Sequence, residues 1–168
     1  MARIEFFVVA DSVSVDQQTN TMSVFEVLEE IHVDNPKPRV LLGKCVAVAL
    51  WIRGEDEEPG QDLQQKLTIT QPNGESQSFQ TNFSFNQSSD RHRILNRIQG
   101  LPVKGVGQLR FEIAINGVHA ATHTVDVAVK PGSQSGVLIR LPKSAESNDS
   151  QDQETSNRSD DGLSPENA

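Results

Sequence analysis

The residues of this sequence whose types could support chemistry begin with an acidic loop. Glu55–Glu58 form a run of four acids, and Asp62 follows closely, while Asp11 and Asp16 could lie nearby in the fold. Calcium needs about six to eight converging oxygen atoms, usually from acids at alternating positions around a glycine-assisted turn. Four adjacent acids followed by a proline lack that spacing. The pattern therefore predicts a solvated, self-repelling loop and no metal site.

The four histidines are His32, His92, His119 and His123. If His119 and His123 share one regular strand, they lie on the same face but about 13 Å apart. Zinc ligands sit about 2 Å from the metal, so the pair cannot share an ion without a bulge or ligands from elsewhere. The spacing predicts partly buried or surface histidines that bind no metal.

Nucleophilic catalysis needs a serine or cysteine beside a base and an oxyanion donor. No serine lies in a Gly-x-Ser-x-Gly elbow, and the single cysteine, Cys45, begins an apolar run that indicates a buried thiol. Residues 105–107, Gly-Val-Gly, precede a strand and lack the following helix that phosphate binding requires. We therefore expect no catalytic residues, no cofactor and no enzymatic activity.

Residues 90–93, Asp-Arg-His-Arg, form with Arg97 the one local basic cluster. The cluster could hold an anion, a nucleic-acid backbone or the chain's own acidic C-terminal segment, and exposed arginines are the simpler interpretation. The chain has no tyrosine, and its tryptophan lies in an apolar run, so the aromatic residues of single-strand binders are missing. We expect no nucleic-acid binding.

Composition divides the chain in two. Residues 144–168 hold seven acids against one arginine, a net charge of −6, with Leu163 and Ala145 as their notable apolar side chains. Such a segment buries too little surface to offset the cost of ordering its backbone. The remainder is close to neutral, within a total of −8. We predict one domain over residues 1–143 and a disordered acidic tail over residues 144–168.

The elements that must position these residues are strands almost throughout. Alternating or β-branched apolar runs predict strands over Ile4–Ser12, Met22–Val33, Lys44–Arg53, Leu63–Gln71, Ser78–Phe85, Leu109–Ile115 and Val118–Val129. A helix over residues 24–31 is the main alternative for the second strand. Residues 88–99 suit a short strand or one helical turn, and residues 136–141 could add an edge strand.

Two Asn-Gly pairs, at residues 73–74 and 116–117, predict tight hairpin turns. Seven or eight strands with turns about every 8–15 residues and no long helix predict an antiparallel β-sandwich, immunoglobulin-like or C2-like. The strands that are apolar on both faces, 4–12 and 44–53, are expected at its centre.

The segments Phe6–Asp16, Ser23–Val27, Leu67–Gly74 and Gly107–Gly117 are similar to an uncharacterised family of small bacterial proteins. The resemblance covers about residues 4–130. It implies a β-sandwich in the bacterial cytosol, and it brings neither an activity nor a binding site.

Because the sequence predicts no catalytic, cofactor or metal site, we expect the function to depend on the contact surfaces of the domain. The chain has one cysteine, no signal-peptide pattern and no apolar stretch of membrane-spanning length, so we expect a cytoplasmic protein that does not bind membranes. A well-specified fold without chemistry favours a non-enzymatic interaction module with an unidentified protein partner. The alternative is a ligand-binding domain that takes calcium, a lipid headgroup or a carbohydrate at the loop end.

Overall fold

The computed structural model describes residues 1–36 and 40–131. These residues form strands and turns, and they contain no helix that is long and apolar enough to cross a membrane. Nine strands are present in this part of the chain: β1 Arg3–Val15, β2 Met22–Val27, β3 Glu30–Val33, β4 Val40–Ile52, β5 Leu63–Thr70, β6 Ser76–Phe83, β7 Arg91–Val103, β8 Gly107–Ile115 and β9 Val118–Val129.

The strands form two sheets. The first has the order β2-β1-β4-β7, and the second has the order β3-β9-β8-β5-β6. All pairings are antiparallel except that of β3 with β9. The predicted all-β architecture is confirmed, with one strand more than the upper prediction.

The two sheets pack face to face over a shared apolar core. Val9 of β1 joins Leu67 of β5 and Phe111 of β8 in one cluster, and Trp51 and Phe85 lie in a second. These side chains expose at most 2 % of their surface. Burial of this kind, at about 1.5–3 kcal/mol for each large side chain, is what favours closure of the sheets.

Both Asn-Gly hairpins are confirmed. β5 pairs with β6 across residues 71–75, and β8 pairs with β9 across Asn116 and Gly117. Asn116 and Gly117 have φ values of 47° and 82°, the left-handed conformation that such two-residue turns require. The Asn116 side chain also accepts a hydrogen bond from the backbone N–H of Gln64 at 2.9 Å, which ties the turn to the neighbouring strand.

The prediction of one strand over Met22–Val33 is wrong, and so is its helical alternative. β2 pairs with β1, whereas β3 pairs with β9 in the other sheet. Near the end of β2, Glu26 adopts a φ of 55°, and just after β2 the Leu28 N–H donates to the Val9 carbonyl at 2.9 Å. The chain therefore changes sheets where the apolar alternation of the sequence breaks.

Of the ambiguous residues 88–99, those from Arg91 onward belong to a strand, because β7 runs for 13 residues beside β4. β1 and β4 are also longer than predicted, at 13 residues each. The predicted boundary after residue 143, the predicted acidic tail over 144–168 and the possible strand over 136–141 lie outside the described residues.

Candidate functional site

The acids that sequence analysis singled out lie apart, each with its own neighbours. Glu57 accepts hydrogen bonds from the backbone N–H groups of Ala2 and Gly54, at 2.6 and 2.9 Å. Asp16 accepts from its own turn, and Asp11 lies 3.4 Å from the Lys44 ammonium group. No group of three or more His, Cys, Asp or Glu side chains suited to a metal ion occurs within residues 1–36 and 40–131.

The prediction that His119 and His123 share one face is wrong, because β9 bulges between them. His123 is opposite the buried Phe111, whereas His119 is opposite Ala114 after the register shifts. The bulge therefore turns His123 toward the core face and His119 toward the outer face of the sheet. His123 Nε2 lies 2.8 Å from the Leu28 carbonyl oxygen, so this ring anchors the crossing between β2 and β3.

His92 packs inside the sandwich. Its ring lies against Phe83 and Phe85, with ring centroids 4.7 and 6.3 Å apart. Burial lowers the pKa of His92 from its ordinary value, although a hydrogen bond at the Ser84 backbone acts in the opposite direction. The lowered pKa favours the neutral form of this ring, and its aromatic contacts stabilise the fold, while His92 also lines the cleft described below.

Cys45 is 1 % exposed on the core face of β4. Burial, with a smaller contribution from Asp11, raises the pKa of this thiol to about 11. A protonated, enclosed thiol is a poor nucleophile, since thiolate and access are both required.

The arginines of β7 lie on its outer face, away from the core. Arg93 is opposite Leu50 of β4, which in turn is opposite Phe6 of β1. Arg91 contacts Glu5 at 3.1 Å, and one guanidinium nitrogen of Arg93 donates to the carbonyl and side-chain oxygens of Asn20. The basic cluster thus binds the turn of the β1–β2 hairpin across the sheet.

That contact shows how the hairpin lies on the four-stranded sheet. Val46 and Val48 of β4 point to the outer face, where they are opposite Ala10 and Val8, yet they expose 7 % and none of their surface. The far half of the hairpin covers this apolar face. Beside it remains an open cleft of about 620 Å³, lined by Val15, Asn20, Met22, Leu50, Ser89, Arg91, His92, Arg93 and Leu95.

The four outer strands of the two sheets differ in how their edges are protected. β3 is four residues long, and β2 is six residues long with a left-handed residue, Glu26. β7 carries three arginines, a proline and a glycine with positive φ. Short strands, charges, prolines and irregular backbone are the devices that keep an edge from pairing with another chain.

β6 has none of these devices. Its eight residues, Ser-Gln-Ser-Phe-Gln-Thr-Asn-Phe, include no charge and no proline, and all eight pair with β5 in one unbroken register. Six of the eight side chains are exposed. β6 is therefore a long, regular and unprotected edge strand within the described part of the chain.

The hydrogen bonds of β5 establish which backbone groups of β6 point outward. Both the N–H and the carbonyl of Gln64 bond to Asn116, on the side of β5 away from β6. Bonding alternates along an antiparallel pair, so Gln65 and Leu67 bond toward Thr81 and Phe79. The N–H and carbonyl groups of four β6 residues therefore point away from β5: those of Ser76, Ser78, Gln80 and Asn82.

A groove of about 470 Å³ separates the β6 edge from β7. Phe79 pairs with the core residue Leu67 and so points between the sheets, but 44 % of its surface is exposed. Phe83 and Phe85, in contrast, are buried. Ile98, Leu101 and Pro102 form the opposite wall.

Sequence analysis missed both of these features. The lack of any charge along residues 76–83 was a usable signal for an unprotected edge, once the strand was known to be an outer one. The cleft had no such signal, because it forms where the β1–β2 hairpin crosses a sheet whose order the sequence does not show.

Comparison with known proteins gives a family and no activity. No curated protein matches the chain. A family model described as a family of unknown function, DUF6941, matches residues 5–128, which include strands from both sheets. The chain therefore belongs to this family, DUF6941.

Proposed function

We propose that this domain is a non-enzymatic protein-interaction module that binds an extended segment of a partner protein along β6. The observation that carries the proposal is the unprotected edge, eight residues long without a charge, a proline or a bulge. Such an edge promotes uncontrolled association, so proteins normally block it. The other three edge strands among residues 1–36 and 40–131 are blocked, and a single strand left open there is explained by a partner that uses it.

The geometry of the edge supports strand addition. Four outward N–H and carbonyl pairs, at Ser76, Ser78, Gln80 and Asn82, provide the backbone hydrogen bonds that give this mode its affinity. Side chains of an added strand would alternate between the outer face and the groove. Since Phe79, Ile98 and Leu101 line that groove, the partner segment is expected to carry apolar residues at every second position.

The absence of enzymatic activity and the cytoplasmic location are further parts of this proposal. Cys45, the single cysteine of the chain, is a free thiol in the core, as is common in proteins of reducing compartments. We extend the proposal to a bacterial cytosol and to an immunoglobulin-like or C2-like sandwich. No specific observation favours the alternative of calcium at the loop end, because the Glu57 carboxylate already accepts hydrogen bonds from two backbone N–H groups.

The proposal is tested by selecting peptides and blocking the edge. Random peptides displayed on phage are selected on the immobilised full-length chain and then measured in solution against two variants. Gln80→Pro removes an outward N–H without breaking the β5–β6 ladder, since proline is tolerated where the N–H of an edge strand faces solvent. Gln80→Thr changes the same side chain and keeps the N–H, so it is the matched control.

We expect the selected peptides to alternate in polarity and to bind Gln80→Thr as they bind the original chain. Loss of one backbone hydrogen bond and the bulk of the ring should weaken binding to Gln80→Pro by about tenfold or more. Melting temperatures of the two variants report whether both remain folded. Equal binding to both folded variants, or no enriched peptide, would contradict the proposal.

A further inference from the structure

The cleft beside the β1–β2 hairpin lies on the outer face of β7 and has its own chemistry, although Leu95 also lines the groove beside β6. Its floor is aliphatic, with Leu50 and Leu95 exposed to it from the sheet and Val15 and Met22 from the hairpin. At about 620 Å³ it falls within the range of about 300–1,000 Å³ that small-molecule sites occupy.

The rim of the cleft is cationic in a chain whose net charge is −8. Arg91 and Arg93 line it, and no aspartate or glutamate does so among the described residues. The charge of Arg91 is balanced by Glu5 at 3.1 Å, which lies outside the lining. Arg93 has an uncharged partner, Asn20, so its positive charge is the one available to a ligand.

Arg93 also keeps donors free for that ligand. A guanidinium group has five N–H donors in a planar fork, and one nitrogen of Arg93 is used on the hairpin turn. The donors left on Nε and Nη1 can each donate to a carboxylate oxygen, and the positive charge strengthens such a bond. A cation above an aliphatic floor is complementary to an anion with an aliphatic chain.

We infer that this cleft binds a free, single-chain amphipathic carboxylate, with the carboxylate at Arg93 and the aliphatic chain over Leu50 and Leu95. The ligand bridges the hairpin, which contributes Asn20 and Met22, and the sheet, which contributes Arg93. Its chain covers apolar surface that the hairpin leaves open.

Titration of the ¹⁵N-labelled full-length chain with decanoate below its micellar concentration tests this inference. Decylammonium, which has the same chain and the opposite charge, is the matched probe. We expect decanoate to give saturable shifts of the Asn20, Leu50, Arg93 and Leu95 amides and decylammonium to bind at least tenfold more weakly.

Two variants distinguish the effect of the Arg93 charge on decanoate binding from the effect of removing any positive charge from β7. Arg93→Gln removes the cation and keeps a donor for Asn20, and it should weaken decanoate binding at least tenfold. Arg97→Gln removes a charge from the same strand outside the lining, and it should bind decanoate as the unchanged chain does. Melting temperatures confirm that both variants fold.

Four outcomes would overturn the inference. The first two are an absence of saturable shifts with decanoate and shifts that lie outside the cleft. The other two are shifts of similar size with decanoate and decylammonium, and decanoate binding that survives in folded Arg93→Gln.

Discussion

Trp51 and Gln65 form a buried polar pair whose coupling can be worked out from the structure. The Trp51 indole N–H donates to Gln65 Oε1 at 2.7 Å, and the two residues expose 0 % and 1 % of their surface. Replacing Gln65 with leucine leaves a buried indole donor without its acceptor, which costs about 1–3 kcal/mol. The same change also removes Gln65 Nε2, a buried donor with no acceptor in the described structure, so the net loss is smaller.

A double-mutant cycle separates these contributions. Trp51→Phe removes the donor, and the combination Trp51→Phe with Gln65→Leu removes both polar partners together. The double variant should be more stable than the sum of the single losses predicts, with a coupling free energy of about 1–2 kcal/mol. Urea unfolding followed by far-ultraviolet circular dichroism measures all four proteins, since Trp51 is the single tryptophan and its fluorescence is lost in two of them. Strictly additive losses would refute the hydrogen bond between the two sheets.

Three further predictions concern other residues of the fold. Asn116→Ala should lower the free energy of unfolding by about 1–3 kcal/mol, because alanine disfavours the φ of 47° and loses the hydrogen bond to Gln64. Asn116→Gly keeps the φ and should lose about half as much. Urea unfolding compares the two variants, and equal losses would contradict the role of the left-handed turn. Cys45 should react with a thiol reagent at pH 8 at about a hundredth of the rate of the urea-unfolded chain or less, since burial raises its pKa to about 11; similar rates would show that the core opens readily. Burial lowers the pKa of His92, so the unfolded chain binds one more proton than the folded chain below about pH 6.5. The melting temperature should therefore fall as the pH drops from 7 to 5. Calorimetry should find a shallower fall in His92→Phe, and identical slopes would contradict the buried position of the ring.

Local signals in the sequence were sufficient for most of the fold. The Asn-Gly pairs predict two hairpins because these residues readily adopt the positive φ that tight turns need. Both hairpins are present, with positive φ at Asn116, Gly117 and Gly74. Strands 4–12 and 44–53, apolar on both faces, are neighbours in the interior of one sheet. The outer face of that sheet is partly covered by the β1–β2 hairpin.

The errors lie where tertiary contacts override local pattern. No local sequence signal near Glu26 predicts that β3 joins the opposite sheet beside β9, because that pairing links residues about a hundred positions apart. The bulge between His119 and His123 is likewise a property of the β8–β9 ladder. The two candidate sites depend on which strands lie at the edges of each sheet, and a single sequence does not state sheet order.

The central claim is that β6 accepts an added strand, and amide hydrogen exchange at single-residue resolution tests it most directly. In the free chain the outward amides of Ser78, Gln80 and Asn82 should exchange fast, whereas those of Phe79 and Thr81 are already protected by β5. A bound peptide selected on the full-length chain should slow the first three at least tenfold and leave the protection of the other two nearly unchanged. Uniform slowing along β6, or slowing confined to another strand, would contradict strand addition at this edge.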